Sequence, residues 1–529
     1  MTQKYLFSPL AWSMLVLPFQ VFGFVGLADG AQDKSTRPTN IVWLITDQQY
    51  YGVLGCSGNR VVKTPYLDRL AEEGTRFTRA ICATPFCSPT RASFITGQWP
   101  HTHGIIKNVK VDRSKKEPKR QFTKPKITDK QVTLDNLLFD SGYKLRHLGK
   151  WHLGDVSQLR AYRNQQGLFG QRADYNKWFK RQAESVVDRK AQPSEIYYNL
   201  VGGVFMTRSM ASVYEIWKDD PRRSPQNLSI IGRSAIAPRA QYETRLTDLA
   251  LQWLERNADK SFMLTLSVSP PHAYWIAPEP YYSMYDPAKI PFPPSFNNRP
   301  DTYKDDLPTR MGNLFGEANI REYLRCYYAQ VTMMDRQFGR VLDKLRELGL
   351  EKNTLVFFTS DHGDMQAAHG MVGKAVHAYF EELVRVPLIV RYPRSISPGL
   401  VLDMHANSVD IMPTVLDYVG MPIPKTVQGR SLRPFLDGVA EPDDQPGFCE
   451  RLIDHEHVSR MIRTTKWKYV IYGVGRRELF NLADDPGEMK NLADDPAYSS
   501  QRNKLENQMR DWMKRTNDPA MKTLFPLIN

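Results

Sequence analysis

The chain has 529 residues, of which 41% are hydrophobic, 24% charged and 11% aromatic. This composition can bury a large core, which excludes wholesale disorder and fibrous structure, and roughly 100–200 residues per domain leaves room for two to four domains. The net charge of +14 indicates an anionic partner, namely nucleic acid, a membrane lipid or an acidic polymer, and charge alone does not choose among them.

The N-terminus carries an apolar stretch, residues 10–27, after Lys4. A weakly basic start, an apolar middle and small residues near the end are typical of a secretory signal peptide, which we assign to residues 1–28. A membrane anchor is the alternative, but the stretch is marginal in length and contains Pro18 and glycines. No later run approaches the roughly 20 apolar residues of a membrane span. We therefore expect an exported protein with no stable membrane anchor, periplasmic or extracellular and bacterial in origin.

The cysteine count agrees with an enzyme rather than a disulfide-stabilised scaffold. Five cysteines are too few to cross-link a chain of this length, and their odd number leaves at least one thiol outside any intramolecular pair. In an oxidising compartment, such a thiol is a candidate for chemistry. The five are Cys56, Cys82, Cys87, Cys326 and Cys449.

After the predicted signal peptide, short apolar runs alternate with amphipathic segments, which is typical of an α/β sheet. Polar residues follow the strands directly, and in open α/β sheets ligands bind at the carboxyl ends of strands. The predicted elements are strand 40–46, helix 65–73, helix 242–256, strand 262–268, helix 321–348 and strand 355–359.

Two segments interrupt this alternation. Residues 107–130 contain eight lysines and two arginines against three acidic residues, a net charge of +7. Residues 155–239 lack clear periodicity and carry several tyrosines and tryptophans. We interpret both segments as insertions in a catalytic domain that spans residues 38–440.

The pattern of apolar residues and turns in the sequence changes after about residue 440. Short strand candidates at 461–463, 468–472 and 478–480 are separated by turns and followed by a predicted helix at 501–515. This pattern predicts a smaller C-terminal subdomain, residues 441–529, with an antiparallel sheet and a final helix.

The most specific motif is the run from Cys87 to Ser93, which reads Cys-Ser-Pro-Thr-Arg-Ala-Ser. Pro89 suits a first helical turn, so Cys87 is predicted to lie at a helix N-terminus. The free backbone N–H groups and the helix dipole stabilise an anion there, and Arg91 adds a fixed positive charge. Seen alone, such a cysteine is more commonly an ordinary, partly buried residue.

The Cys-x-Pro-x-Arg run resembles the modification signature of the type I formylglycine-dependent sulfatases, the arylsulfatase-like members of the alkaline phosphatase superfamily. The likeness spans residues 84–97 closely and extends in order over roughly residues 38–495, with residues 155–239 not covered. Leu145 replaces a threonine common in the family. It implies an alkaline-phosphatase-like α/β fold, with a central, mostly parallel sheet flanked by helices and a smaller C-terminal antiparallel sheet. The other landmarks are Asp47-Gln48, residues 149–154, Pro271-His272, residues 360–364 and Gly373-Lys374.

The resemblance implies a nucleophile made from Cys87 by a formylglycine-generating or equivalent maturation enzyme. Hydrated formylglycine offers two hydroxyl groups, one to attack sulfur and a second that lets the covalent sulfate be eliminated. In this family pattern Arg91 and Lys150 orient and activate the nucleophile. His152 is the implied base that removes the remaining proton during elimination.

One divalent cation is also implied, with Cys87 beside it and four further residues around it. Carboxylates and an amide carbonyl are hard oxygen donors that suit Ca²⁺, whereas a histidine leaves Mg²⁺ or another metal open. The alternative for the two aspartates is a role as caps of the following helices. The four implied ligands are Asp47, Gln48, Asp361 and His362.

His272 and Lys374 are implied to hold the sulfate oxygens, one of them protonating the leaving oxygen. The basic segment 107–130 and the aromatic residues of 155–239 favour a sulfated polysaccharide or its oligosaccharides over nucleic acid as the partner. The alternative for these segments is a solvated loop and buried core aromatics. The histidines near the motifs have no predicted role, nor does one arginine; they are His101, His103, His369, His377 and Arg385.

Two other functions stay open. A phosphonate monoester or phosphodiester hydrolase of the same superfamily could carry the same nucleophile. A catalytically silent polyanion-binding protein could share the fold, although the intact motif from Cys87 to Arg91, with Lys150, His152 and Lys374, argues against it. Oligomeric state, regioselectivity, and exo or endo action are not predicted.

Overall fold

The structure, a computed structural model, describes most of the chain after the predicted signal peptide. The predicted signal peptide and the middle of the basic segment lie outside the described residues. The described residues are 39–112, 121–122, 125–163, 175–179, 181–182, 185, 195–198, 204–207, 209–210, 212, 230–375, 377–452 and 458–526.

Within these residues, seven strands form the central sheet. In spatial order they are β13 (Leu400–Asn407), β2 (Thr75–Ile81), β12 (Leu388–Arg391), β11 (Thr354–Ser360), β1 (Asn40–Asp47), β9 (Phe262–Pro271) and β5 (Lys144–Gly149). Six run parallel and β12 runs antiparallel to its two neighbours. The central strands β1 and β11 are buried along their whole length, as expected where helices cover both faces. The predicted, mostly parallel α/β sheet is confirmed.

Alternate residues of β1 point into two separate cores. Val42 and Leu44 pack with helices α1, α5 and α6, whereas Ile41, Trp43 and Ile45 pack with α2, α4 and α8 on the other face. This period of two is what a strand covered on both faces requires. The helices are α1 (Pro65–Glu72), α2 (Cys87–Thr96), α3 (Pro100–His103), α4 (Leu134–Asp140), α5 (Tyr242–Arg256), α6 (Leu307–Glu347), α7 (Glu381–Val384), α8 (Ile411–Tyr418), α9 (Arg433–Leu436), α10 (Ser499–Arg515) and α11 (Met521–Leu524).

The predicted helix 242–256 matches α5 residue for residue, but the prediction for α6 was wrong at its start. That helix begins at Leu307 rather than at Arg321. Gly316 adopts φ 66° and ψ 172° inside it, so the helical pattern in the sequence is broken there. The part that the pattern missed lies beside the functional site described below.

A second sheet is antiparallel and lies near the C-terminus. Its strands are β14 (Gly447–Arg451), β15 (Ser459–Arg463), β16 (Trp467–Tyr472) and β17 (Arg477–Asn481), and α10 follows them. The predicted small sheet and final helix are confirmed. Strand β14 was not predicted, because its sequence Gly-Phe-Cys-Glu-Arg has no apolar run. The unit from Pro38 to Asn529 is compact, and the division of the chain at residue 440 stays a prediction.

The segment 155–239, which shows no periodicity in sequence, contributes three strands to a third sheet. They are β6 (Glu195–Tyr198), β7 (Val204–Thr207) and β8 (Ile231–Ser234), and β10 (Trp275–Pro278) completes the order β10-β8-β7-β6. In the basic segment, β3 (Val111–Asp112) pairs with β4 (Gln121–Phe122). No helix among the residues placed here has the length and apolar character needed to cross a membrane.

Candidate active site

Two aspartates meet at the carboxyl edge of the central sheet. In the parallel pair β1–β11, Thr46 lies opposite Ser360, so Asp47 and Asp361 follow at the same edge. Both carboxylates are fully buried, and Arg91 of α2 bridges them, with Nε 2.8 Å from Asp361 Oδ2 and Nη2 3.0 Å from Asp47 Oδ2. Neither aspartate caps a following helix. The two strand ends therefore lie side by side at one edge of the sheet.

Cys87 is the first residue of α2, directly after the N-cap residue Phe86. Its thiol is 0% exposed and lies among groups from three other parts of the chain. Sγ is 3.2 Å from His362 Nε2, 3.4 Å from Lys374 Nζ and 3.9 Å from Asp47 Oδ1. A group at this position therefore faces Asp47, His362 and Lys374, and it lies at the positive end of a helix.

The loop after β5 brings Lys150 and His152 to the same place. A Cβ on Gly149 would lie 2.0 Å from the carbonyl oxygen of Ser267, so only glycine lets the strand end approach β9 this closely. Lys150 N donates to that carbonyl at 2.8 Å, and Lys150 Nζ pairs with Asp47. His152 follows in a left-handed conformation, φ 64°, and its imidazole lies close enough to the Cys87 thiol for each group to shift the pKa of the other.

The cations around Cys87 control its ionisation. Burial alone would raise the pKa of the thiol, but Lys150, Lys374 and His362 lower that pKa well below its usual value. The site therefore stabilises an anion at the position of Sγ. Burial, together with Lys150, lowers the pKa of His152 to about 4, so its imidazole is neutral at pH 7 and free to accept a proton.

The donors around Cys87 form a compact group that fits a divalent cation. One ligand atom from each of Asp47, Cys87, Asp361 and His362 lies within 4.8 Å of the others. His362 Nδ1 lies 2.9 Å from the carbonyl oxygen of Gly363 and must donate to it, so Nε2, which faces the cluster, is the nitrogen that would bind a cation when the imidazole is neutral. Burial raises the pKa of Asp361, and the neighbouring Asp47 carboxylate raises it further. A cation would offset this concentration of negative charge.

Gln48 adds an observation that points to a cation. Its Oε1 atom is buried without a hydrogen-bond partner, whereas its Nε2 donates to Asp364 Oδ2 at 2.6 Å. A buried carbonyl oxygen left without a donor costs free energy. A metal ion bound by Asp47 and Asp361 would satisfy it, because amide oxygens are suitable ligands for hard cations.

His272 and Lys374 lie at the mouth of the site. His272 follows β9, and its Nδ1 donates to the carbonyl oxygen of Ala273 at 2.8 Å, which leaves Nε2 toward Asp47 Oδ1 at 4.0 Å. Its side chain is 26% exposed, unlike the buried thiol. Both residues line a cleft that is open to solvent, and Gln48 forms part of its floor. Lys374 therefore connects the cleft with the buried Cys87, since it lines the cleft and its Nζ contacts Sγ.

Two of the histidines without a predicted role make structural contacts. His101 Nδ1 lies 2.6 Å from Glu450 Oε2, next to Asp518, and this pairing raises the pKa of His101 against the effect of burial. His103 lies 3.1 Å from Ser93 Oγ, and burial lowers its pKa to about 3. Neither side chain faces Cys87.

The remaining residues without a predicted role divide into two kinds. His369 Nδ1 lies 2.9 Å from the carbonyl oxygen of Asn298, and Arg385 Nε donates to the carbonyl oxygen of Thr78 at 2.7 Å. Both contacts are structural. His377 instead lines the cleft beside Lys374.

Sequence reasoning missed three polar neighbours of this site. Asn108 places Nδ2 4.0 Å from Cys87 Sγ, and Ser267 Oγ accepts from Arg91 at 2.8 Å. Asp364 lies in the run that supplies Asp361 but received no role. Only Asp364 carried a usable signal, since it is an acidic residue within a predicted motif. The structure thus brings all the predicted site residues together, and their individual roles stay predictions.

Comparison with known families agrees with this geometry. The sulfatase family model matches residues 39–421, and a second model, the C-terminal part of N-sulphoglucosamine sulphohydrolase, matches residues 368–515. The ulvan-active sulfatase of Formosa agariphila is 27% identical over 487 residues, which cover 90% of this chain and 81% of that protein. The N-acetylglucosamine-6-O-sulfatase of Bacteroides thetaiotaomicron is 26% identical over 549 residues, covering 96% of this chain and 92% of that protein.

Two solved structures show the shared fold. A protein in complex with its substrate D-glucosamine-2-N,6-O-disulfate has a TM-score of 0.66 at 21% identity, covering 91% of this chain and 99% of that one. The phosphonate monoester hydrolase of Agrobacterium radiobacter has a TM-score of 0.69 at 22% identity, covering 91% and 96%. Since the sulfatase family model matches well over half of the chain, the protein belongs to the sulfatase family and is a sulfuric ester hydrolase, as the motif around Cys87 predicts.

Proposed function

We propose that this sulfuric ester hydrolase removes sulfate from a sulfated carbohydrate, a polysaccharide or its oligosaccharides, through a formylglycine made from Cys87. The observation that carries the proposal is the position of Cys87, buried at the N-terminus of α2 and faced by Lys374, His362 and Lys150. The carbohydrate part is supported by the relatives, of which one is named for activity on ulvan and another for N-acetylglucosamine 6-O-sulfate.

Two groups would complete the site. Formylglycine made from Cys87 by a maturation enzyme would supply a hydrated aldehyde as nucleophile, and one divalent cation, preferably Ca²⁺, would supply positive charge that binds sulfate and favours the ionised nucleophile. The residues that would hold the cation are Asp47, Gln48, Asp361 and His362, with residue 87 beside it.

The protein's own side chains divide the remaining work. Lys374 and His272 both line the cleft, and Lys374 contacts Cys87, so we propose that they bind the sulfate oxygens of the ester. His272, with 26% of its side chain exposed, is the residue that we propose gives a proton to the leaving group. His152 is neutral and lies close to Cys87, so it takes the proton that release of sulfate requires. Lys150 stays paired with Asp47 and keeps the field around residue 87 positive.

A substrate panel tests the proposed function. Wild-type protein with full conversion of Cys87 is assayed with defined sulfated mono- and oligosaccharides, a small aryl sulfate and a phosphonate monoester. We expect kcat/KM to be highest for one sulfated sugar, because its ring contacts the cleft as well as the sulfate site. Higher kcat/KM for the phosphonate monoester would favour the hydrolase alternative. Binding of sulfated sugars without turnover of any compound would favour a polyanion-binding protein.

Removal of the cation tests the metal part of the proposal. Treatment with a chelator should abolish sulfate release, because the cation's charge would no longer bind the sulfate or favour the ionised nucleophile. Added Ca²⁺ should restore activity, and Mg²⁺ should restore less because it demands a stricter octahedral geometry. Inductively coupled plasma mass spectrometry follows metal content alongside the rate. Full activity in metal-free protein would contradict the proposed ligand set.

The basic segment 107–130 is tied to the active site at both ends, which supports a role in attracting a polyanionic substrate. Near its start, Asn108 contacts Cys87 and accepts from Ser88 N at 3.0 Å. Near its far end, Ile127 N donates to the carbonyl oxygen of Leu153 at 3.1 Å, just after the loop that carries His152. We propose that a basic segment with these two anchors attracts a polyanionic substrate to the site.

Neutralising the basic segment tests that role. Changing Lys115, Lys116, Lys119 and Arg120, which lie outside the described residues, to glutamine should lower kcat/KM for a sulfated oligosaccharide at low salt. The difference should shrink at physiological ionic strength, where screening acts within roughly 8 Å. A small aryl sulfate should be affected little, since it carries one charge. Equal losses on both substrates, or no salt dependence, would show that this segment does not guide the substrate.

Export and domain organisation complete the proposal. The composition of residues 1–28 supports a signal peptide and a periplasmic or extracellular location in a bacterium. The catalytic domain is proposed to span residues 38–440 and the C-terminal subdomain residues 441–529.

A further inference from the structure

We propose that Asp364 and Tyr323 are positioning residues that fix the orientation of the Gln48 amide and so decide which of its ends faces the proposed cation. The inference rests on the metal site of the proposed function and deepens it. Asp364 lies outside the compact ligand group of Asp47, Cys87, Asp361 and His362. It acts on the cation through the side chain of Gln48.

The backbone of Gln48 is held at both of its polar groups. Its N–H donates to Asp361 Oδ1 at 3.1 Å, and its carbonyl oxygen accepts from the Tyr327 hydroxyl at 2.5 Å. Its left-handed conformation, φ 64°, is one that a residue other than glycine adopts only where neighbouring contacts impose it. These contacts fix the main chain of Gln48, but they do not determine which way its side-chain amide is turned.

Asp364 determines that orientation. A carboxylate accepts hydrogen bonds and donates none, so the end of the amide that faces Asp364 Oδ2, 2.6 Å from Gln48 Nε2, must be the NH₂ group. The opposite end, Oε1, is then the buried oxygen without a hydrogen-bond partner. An amide rotated by half a turn would present its NH₂ group to the cation, which repels it.

Asp364 is itself held by donors. Its Oδ1 accepts from the Tyr323 hydroxyl, from Gln366 N at 3.0 Å and from Gln366 Nε2 at 3.1 Å. Tyr323 is fully buried in α6, one turn before Tyr327. The two tyrosines therefore lie on the same helix face, and one holds the backbone of Gln48 while the other holds the carboxylate that orients its side chain.

Exchanging donor and acceptor across this contact tests the inference. Asp364→Asn keeps the shape, but its NH₂ group would face Gln48 and turn the amide over. We expect calcium affinity, measured by competition calorimetry on the purified full chain, to fall about tenfold to a hundredfold. Gln48→Glu alone places two carboxylates in contact and should also weaken binding. The double variant Gln48→Glu/Asp364→Asn keeps the net charge of the pair and again directs an oxygen to the cation, so it should recover most of the lost affinity.

A second pair of variants distinguishes a loss of positioning from a general effect on folding. Tyr323→Phe should weaken calcium binding severalfold, because Asp364 loses a donor. Tyr328→Phe is the matched control, since it removes another buried hydroxyl from α6, one that contacts Asn59, and it should bind calcium like the wild type. The inference is overturned if the double variant binds no better than Asp364→Asn, or if Tyr323→Phe and Tyr328→Phe bind equally. Wild-type protein that binds no divalent cation would overturn the metal site as well, which separates the two failures.

Discussion

Replacing Cys87 with alanine should abolish turnover of every sulfate ester and leave the fold intact. The change removes the atom from which the nucleophile is made, and loss of a covalent nucleophile costs on the order of 10³-fold or more in kcat. The fold should persist, because alanine is favourable in a helix and Cys87 contributes one small buried side chain to α2. Sulfate release and thermal unfolding of the purified variant measure the two effects.

Mass spectrometry of the peptide that contains residue 87 identifies the chemistry. In wild-type protein coexpressed with a maturation enzyme, this peptide should lose the mass that conversion of a thiol to an aldehyde requires, and activity should rise with the converted fraction. Cys82→Ala is the matched control, because Cys82 is also buried but its Sγ contacts the carbonyl oxygen of Leu383. That variant should keep its activity. An active Cys87→Ala protein would refute the nucleophile.

The parts of the site that the sequence predicts are those determined by local rules. Pro89 in a first helical turn predicts where α2 begins, so the position of Cys87 follows from three adjacent residues. Asp47 and Asp361 each follow a buried apolar run, and parallel strands bring their carboxyl ends to one edge of the sheet. Their proximity therefore needs no knowledge of side-chain packing.

Residues that reach the site from a distant helix give no such signal. Tyr323 and Tyr327 read as ordinary core positions of an amphipathic helix. Tyr323 contacts the loop after β11 and Tyr327 contacts the loop after β1, and both contacts depend on how α6 crosses the sheet. The start of α6 was also missed, since the left-handed Gly316 interrupts the pattern. The sheet formed by β6, β7 and β8 was missed for a related reason: its strands have four residues each, and β8 pairs with β10, which follows α5 and β9 in the chain.

Replacing Arg91 is the second change for which we expect a large effect on stability and activity. Its guanidinium group is 4% exposed and makes four contacts, with Asp361 Oδ2, Asp47 Oδ2, Ser267 Oγ and the carbonyl oxygen of Lys150. Burial lowers its pKa, but the two carboxylates more than offset this and raise it. The guanidinium group is planar and carries five N–H donors, so it can serve all four of these acceptors at once. A lysine at position 91 would keep the charge but could not reach both carboxylates and the two neutral oxygens together.

We therefore expect Arg91→Lys to lower both stability and activity. Breaking a buried ion pair costs about 3–5 kcal/mol of unfolding free energy, and displacement of Asp47 and Asp361 should lower kcat on the order of 10²-fold. Denaturant unfolding and sulfate release measure these two quantities. Because Arg91 also belongs to the modification motif, activity must be divided by the converted fraction of residue 87, determined by mass spectrometry.

Arg460→Lys separates the catalytic part of this effect from the structural part. Arg460 is fully buried in the C-terminal sheet, away from the active site. Its Nε donates to Asp518 Oδ2 at 2.5 Å and its Nη2 donates to Asp518 Oδ1 at 2.6 Å. Its replacement should lower the free energy of unfolding to a similar degree, since a comparable buried pairing of a guanidinium group with a carboxylate is lost. The rate per folded, converted molecule should stay at the wild-type value. If Arg91→Lys behaved in the same way, Arg91 would be a residue of the fold alone, and its bridge between Asp47 and Asp361 would have no part in catalysis.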